Sequence, residues 1–339
     1  GLLNNKLEII AEYFTEKRRN ILMDRTLPAT LGLQVTPKAN VGQATSKSFE
    51  FSADYSSNFG KNLFISARAN FTYARNKFLA YEEPVYDEWY KSRIGRPVNQ
   101  QWGYVAERLF VDDEEVGNSP AQTFGSRKVM GGDIKFRDVN GDGVITSLDQ
   151  VPIGYPTNPE IVYGFGVSVK YKGFDMSGFF QGSARSSFWI DVEATSPFIP
   201  YLYDKETFGP LNSNATFATG TQLQNQLLKA YADNHWSEEN RNLYALWPRL
   251  DNQLNGNNNQ KSTWFMRNGD FLRLKQVEIG YSLPRRLAQR MHLETLRLYS
   301  NATNLLTFSK FNLWDVEMGG NGLGYPIQKV INFGLQVGL

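Results

Sequence analysis

Between residues 63 and 73 the odd positions carry Leu63, Ile65, Ala67, Ala69, Phe71 and Tyr73, while Ser66, Arg68, Asn70 and Thr72 fill even ones. Successive side chains of a strand point to opposite faces, so this segment predicts a strand that is oily on one side and wet on the other. The pattern returns at 161–171, where Ile161, Tyr163, Phe165, Val167, Val169 and Tyr171 alternate with Gly164, Gly166, Ser168 and Lys170. Lys172-Gly173 then signals a tight turn, and Phe174, Met176, Gly178 and Phe180 alternate with Asp175, Ser177 and Gln181. The two runs predict a hairpin. At the end of the chain Ile331, Phe333, Leu335, Val337 and Leu339 alternate with Asn332, Gly334, Gln336 and Gly338. Strands are expected near 6–17, 44–58, 61–75, 99–110, 160–171, 174–186, 270–283, 294–302 and 329–339, about nine or ten in all.

A soluble sandwich shows the same alternation when its apolar face is packed inward. Two details favour a membrane barrel. The polar face is rich in Gly, Ser, Asn and Gln, as a hydrated interior permits, rather than in the Lys/Glu mix of a soluble surface. Tyr73, Tyr171, Phe174, Tyr281 and Tyr299 also fall near strand ends, where an interfacial aromatic belt would sit. Two long irregular insertions, 79–96 and 189–262, fit a barrel with short turns on one rim and long loops on the other. Within the second, Leu223, Leu227, Leu228 and Tyr231 predict a short surface helix over 222–236. The Asn-rich stretch 255–260 reads as an exposed tip.

Composition narrows the function. Lys and Arg number 36 against 34 Asp and Glu, and a formal charge of +2 leaves no excess for a nucleic-acid surface. The chain has no Cys, which removes disulfides, Cys-zinc sites and thiol chemistry, and its 2 His leave little for imidazole catalysis. No stretch approaches the roughly 20 apolar residues of a spanning helix. The first residues lack a signal peptide's charged start and apolar core, so the chain is expected to begin partway through a longer precursor.

The sharpest local chemistry lies at 138–149. Oxygen donors at loop positions 1, 3 and 5 (Asp138, Asn140, Asp142), Gly143 at 6, an apolar residue at 8 and a carboxylate at 12 reproduce the calcium-loop template. Val144 would offer its carbonyl, Thr146 would act directly or through water, and Asp149 would close the site. Asp149 is one methylene shorter than the usual Glu. Asn140-Gly141 and Asp142-Gly143 also make tight turns without metal. Pro152, Gly154, Pro156 and Pro159 preclude a following long helix, so the expected role of Ca²⁺ is to rigidify a loop rather than to drive a sensor.

Nothing points to an enzyme. His235 and His292 are isolated, and His235 reads as a loop residue with a local hydrogen bond. No Gly-x-Ser-x-Gly elbow occurs. Glu82-Glu83 and 112–115 read as solvated carboxylates rather than a glycosidase pair. The Gly-rich stretch 319–324 follows no parallel strand and opens no helix, so it is no phosphate cradle. Trp89, Tyr90, Trp236, Trp247 and Trp264 read as loop anchors before sugar platforms.

Taken in order, several segments resemble the SusC/RagA-type TonB-dependent outer-membrane transporters of the Bacteroidetes. They are 131–143, which runs Gly-Gly-Asp-Ile-Lys-Phe-Arg-Asp-Val-Asn-Gly-Asp-Gly; 159–164; 171–177; 180–182; 247–250; 271–275; 280–284; 298–300; and Asn304-Leu305. The resemblance covers nearly the whole of 1–339. It implies an all-β fold, the C-terminal portion of a large antiparallel transmembrane β-barrel of about 22 strands when complete, with long extracellular loops. The last strand is similar to a barrel-assembly signal, with Leu339 where an aromatic is usual. By that resemblance the plug and TonB box are expected to lie outside this chain. A piece with two open edges in lipid is expected to be completed by further strands of the same polypeptide or of a second chain.

What the resemblance implies is import of a large nutrient, an oligosaccharide or a peptide, across the outer membrane. TonB would act through the missing plug, a SusD-like surface lipoprotein would close over the loops, and membrane lipid would contact the wall. A glycan-binding or adhesion barrel without transport is the alternative class, and a calcium-stabilised soluble sandwich a third.

Overall fold

The computed structural model describes residues 2–32, 34–125, 127–197, 201–203, 222–224, 227–251 and 254–339. Eight strands form one sheet in which every neighbour in sequence order is also the hydrogen-bonded neighbour: β1 (Leu7–Asp24), β2 (Lys38–Phe59), β3 (Leu63–Ala80), β4 (Ile161–Tyr171), β5 (Phe174–Ala184), β6 (Phe271–Ser282), β7 (Thr295–Ser309) and β8 (Val330–Gly338). All seven pairings are antiparallel. Among the described residues β1 and β8 are paired on one side only, so the sheet is open.

Register carries the alternation from strand to strand. Phe51 faces Phe71, Phe71 faces Tyr163, Phe165 faces Phe180, Met176 faces Ile279, and Leu298 faces Leu335. The intervening rows set Ser52 against Asn70, Ser168 against Ser66 and Ser177, and Asn301 against Asn332. A slip of one residue would exchange the faces, so the repeated matching of like with like fixes the register. In β6 the apolar set changes parity, from Leu272 and Leu274 to Val277, Ile279 and Tyr281, and a bulge at this point restores the faces.

The connections separate into two kinds. β2 to β3, β4 to β5, and β6 to β7 are joined on one rim, the first two by tight turns and the third through a short helix, Arg285–Arg290. At Lys172 and Gly173 both φ values are positive, 46° and 92°, as a two-residue type I′ hairpin requires. A Cβ on Gly173 would also lie 2.7 Å from the Ser282 carbonyl oxygen. The other rim carries the long connections after β1, β3, β5 and β7.

The hydrophobic core lies in those long connections and not in the sheet. Tyr104, Leu109, Ile134 and Phe136 from the segment after β3 pack with Phe188, Tyr231, Trp247 and Phe265 from the segment after β5, and with Phe311 and Val316 from the segment after β7. Tyr231 and Trp247 stack with ring centroids 4.1 Å apart. No second sheet covers the oily face of the wall among the described residues.

Several expectations change. The strand expected near 99–110 is not in the wall: Trp102–Gly103 and Ala106–Leu109 form short pairs inside the loop layer. The insertion expected at 79–96 therefore extends to the start of β4, and that at 189–262 to the start of β6. Of the proposed belt, Tyr171, Phe174 and Tyr281 do meet at the short-turn rim, with Phe174 and Tyr281 rings 4.5 Å apart. Tyr299 instead sits on the polar face, in the row of Gly280 and Gly334. The helix expected over 222–236 is confined to Lys229–Asp233, because Gln222–Gln224 pairs with Tyr201–Tyr203.

Candidate functional site

The polar face of the wall is the first functional surface. Near the short-turn rim Arg297 of β7 reaches across β6 to Asp175 of β5 and to Glu278, the latter at 2.6 Å. Gly280 lies beneath it, and a Cβ there would come within 2.5 Å of the guanidinium. Glycine in this row thus lets one arginine tie three strands together. Gly164 and Gly166 on β4 act alike for Phe179, whose ring a Cβ at either position would meet at 2.9 Å. The ladder of small residues read as a hydrated surface therefore also makes room for large side chains lying flat against the wall.

At the other rim Arg273 leaves β6 almost fully buried and holds Asp315 at 2.6 and 2.8 Å and Glu317 at 3.0 Å, fastening the connection after β7 to the wall. Deeper in the loop layer lies a buried carboxylate, Asp133, 0% exposed. It accepts the Met130 amide at 2.9 Å, Asn255 Nδ2 at 3.0 Å and Asn258 Nδ2 at 2.9 Å. Arg249 Nε sits 2.8 Å away, at ion-pair distance though out of line for a hydrogen bond. Burial raises the Asp133 carboxyl above its ordinary range, and the arginine and amide donors pull it back only in part. Asn257 and Asn258 bond the backbone of Ile134 on both its carbonyl and its amide. The stretch expected as an exposed tip is thus a buried clamp, because the side chains of Asn255, Asn257 and Asn258 supply the donors and acceptors that a buried turn lacks.

The predicted cation loop folds tightly on itself. Asp138 accepts the amides of Gly141 and Gly143 at 2.7 and 2.8 Å, Asn140 Oδ1 that of Asp142 at 3.2 Å, and Asp142 Oδ1 that of Val144 at 2.9 Å. Thr146 Oγ1 accepts the Leu148 amide at 3.1 Å. Asp149, fully buried, accepts the amides of Val139 and Thr146 at 2.8 and 2.7 Å and so closes the loop. Tyr90 lies beside it. Burial first, and then the charges of Glu88, Asp149, Asp138 and Asp142, raise its hydroxyl. No cluster of three carboxylates or imidazoles placed to hold a metal by themselves occurs among the described residues, so a cation here would also need Asn140, Thr146 and the Val144 carbonyl.

Other candidates fall out as follows. His235 Nδ1 lies 2.9 Å from the Ala232 carbonyl oxygen. Trp236 and Trp247 are buried anchors, whereas Trp89 is 79% exposed. Glu115, from the supposedly solvated run 112–115, forms a bidentate pair with Arg108 and receives Lys135 at 2.9 Å. Burial alone would raise its carboxyl, but Arg108, the Val111 amide and Lys135 hold it down at about 2. Glu82 takes Arg25 at 2.8 Å, and Glu83 takes Ser92 and the Arg93 amide. The Gly-rich segment is packed rather than loose, since Trp314 lies against Gly322 and the Asp191 amide bonds the Gly320 carbonyl.

An antiparallel meander with one uncovered apolar face, one polar face, and tight turns and long loops on opposite rims defines a section of a large membrane-type β-barrel wall. Solved structures of the RagAB peptide importer match this architecture: in the open-open state the TM-score is 0.64 at 20% identity over 99% of this chain, and in a second structure of the transporter 0.62 at 21% identity. No protein-family model matches the chain. TonB-dependent receptor P3 of Formosa agariphila is 27% identical over 333 residues, covering 94% of this chain and 29% of the relative. The TonB-dependent receptor SusC of Bacteroides thetaiotaomicron is 20% identical over 350 residues, covering 100% of this chain and 30% of the relative. The chain is a relative of the SusC/RagA-type TonB-dependent transporters, and it spans about a third of the length of the proteins it matches.

Proposed function

We propose that this chain supplies part of the wall and loop layer of an outer-membrane importer that takes up a large nutrient, an oligosaccharide or a peptide. The oily face meets membrane lipid and the polar face lines the interior passage. The remaining strands and the plug come from the rest of a longer protein or from a second chain, TonB acts through that plug, and a SusD-like lipoprotein closes over the loop layer. Ca²⁺ held by Asp138, Asn140, Asp142, the Val144 carbonyl, Thr146 and Asp149 stiffens one loop of that layer.

One observation carries this reading. The apolar row is matched in register across eight strands yet stays uncovered, with Phe174, Ile279, Leu298 and Ile331 each at least half exposed. In water that face would be an aggregation surface; in hydrocarbon it is satisfied. The test is uptake of labelled oligosaccharides and oligopeptides by cells carrying the full-length gene, with and without TonB. Uptake of one cargo class, abolished by removal of either gene, is expected. Recovery of the full-length protein in a soluble fraction without detergent, or uptake indifferent to TonB, would overturn the reading.

A further inference from the structure

The connection from β6 to β7, at the short-turn rim, leans on the oily side of the wall. Leu283 extends the outward row of Val277, Ile279 and Tyr281, and its amide bonds the Leu296 carbonyl at 2.9 Å. Leu296 shares its row with Leu298, yet it is 9% exposed where Leu298 is 50%. The short helix Arg285–Arg290, which packs on β7 and buries Ala288, accounts for the difference. The rest of this helix divides into two sides. Leu287 and Met291, one turn apart, stay 46% and 55% exposed. Arg286 and Arg290, also one turn apart, are exposed on the opposite side, with Arg285 exposed at the start.

These arginines differ from the others of the sheet. Arg68, Arg75, Arg273 and Arg297 all sit in ion pairs with carboxylates. Arg285, Arg286 and Arg290 have no charged partner among the described residues. The two neighbouring turns add Lys61 and Lys172, and Glu294 is the single carboxylate in the connections 60–62, 172–173 and 283–294. The rim is therefore positive and lacks internal counterions, and its free apolar side chains continue the oily row of the wall. A plug segment would occupy the polar face, away from this helix. An acidic soluble protein would match the charge but leave Leu287 and Met291 in water. A bilayer surface takes both: hydrocarbon receives the leucine and methionine, while arginine stems run along it and lift their guanidinium groups to phosphates. We propose that Arg285–Arg290 is an interfacial anchor that binds the headgroups of anionic phospholipids in the leaflet at the short-turn rim. The proposal deepens the importer reading and rests on it only in taking the oily face to meet lipid.

The test places the full-length protein in nanodiscs of phosphatidylcholine, alone or with about one quarter phosphatidylglycerol, and follows amide exchange of 285–292. The anionic lipid is expected to slow that exchange about fivefold, the factor that one basic residue contributes at such a surface. The slowing should vanish in about 0.5 M sodium chloride, where the Debye length falls to about 4 Å. It should also vanish in the triple variant Arg285→Gln, Arg286→Gln, Arg290→Gln. Should that variant fail to insert, the salt dependence of the unaltered protein decides. Equal exchange in the two discs would leave the helix to an acidic protein and overturn the anchor, as would slowing that survives salt or the triple variant. TonB-dependent uptake is scored separately: uptake with equal exchange in both discs removes the anchor alone, and slowed exchange without uptake removes the importer alone.

Discussion

The wall and the loop layer use the same apolar residue types and treat them in opposite ways. In the wall Phe333 is 85% exposed and Met176 56%, while in the loop layer Tyr231, Leu109 and Ile134 are each 0% exposed. The wall places its large side chains in alternation, kept on one face across the β6 bulge, so backbone geometry brings them to that face, and nothing among the described residues covers it. The loop layer has no such period. Its aromatic residues come from three separate connections and find one another only through tertiary folding. The loop layer is thus built as a soluble domain is built, by burying protein against protein, whereas the wall needs an apolar solvent outside the molecule. Among the described residues β1 and β8 have a strand partner on one side only, and in an apolar solvent such edges call for further strands.

This contrast breaks first at Asp133. Replacing it by Ala strands Arg249, Asn255 and Asn258 in a buried site, and loss of one partner from such a cluster costs about 3–5 kcal/mol. Hydrogen exchange on the full-length protein should show 130–134 and 255–258 losing protection while β4 and β5 keep theirs. Equal loss in the wall would show that the two regions fold as one unit. The next effect belongs to the wall. Val167→Arg, on the uncovered face between Ala67 and Gly178, should cost about 2–4 kcal/mol for refolding into lipid, while Ser168→Arg, one residue on, should cost close to nothing. Equal costs at both positions would deny the distinction between the faces.

How far the sequence could be read follows from the same division. The wall was legible wherever period-two patterning ran unbroken, as at 63–73 and 161–171, and Lys172-Gly173 named its own turn. It was less legible where a bulge shifts parity in β6, since a strict alternation count sees two short runs instead of one strand. The loop layer was hardly legible. The segment 99–110 has a strand's composition, but its pairs are two to four residues long and are set by contacts distant in sequence, such as the Tyr104 amide bonding the Lys261 carbonyl. The Asn-rich stretch 255–260 misled because turn residues are usually solvated, and only a partner carboxylate 122 residues away, Asp133, turns those amides inward. The calcium-type template at 138–149 was legible from spacing alone, because its signal is local.

Acid should strike the loop layer before the wall. The Glu115 carboxyl is held at about 2 by Arg108, the Val111 amide and Lys135, against an ordinary value of 4.5. A depressed carboxylate contributes stability above its unfolded pKa and loses it as pH falls through the folded value. From neutral pH down to pH ~3 that loss is about 2 kcal/mol, with the remainder going as pH approaches ~2. Glu115→Gln should flatten the pH dependence of loop-layer protection in this window. A variant as acid-labile as the parent would place the sensitivity elsewhere.

The smallest expected effect concerns Ca²⁺, and the geometry says why it is small. Every side chain of the loop that would hold the ion already accepts an amide of the loop, and Asp149 fastens Val139 to Thr146 with no ion required. A cation would add to this frame by relieving the repulsion among Asp138, Asp142 and Asp149, not by creating the fold. At free Ca²⁺ about ten times the dissociation constant, the gain over the chelated protein is about 1.4 kcal/mol. Calorimetry with and without chelator should therefore show a modest downward shift of the loop-layer transition and none in the wall. Asp142→Asn should abolish the difference while leaving the chelated transition nearly in place. An identical thermogram with and without chelator would remove the ion and leave the hydrogen-bonded turn as the whole function of 138–149.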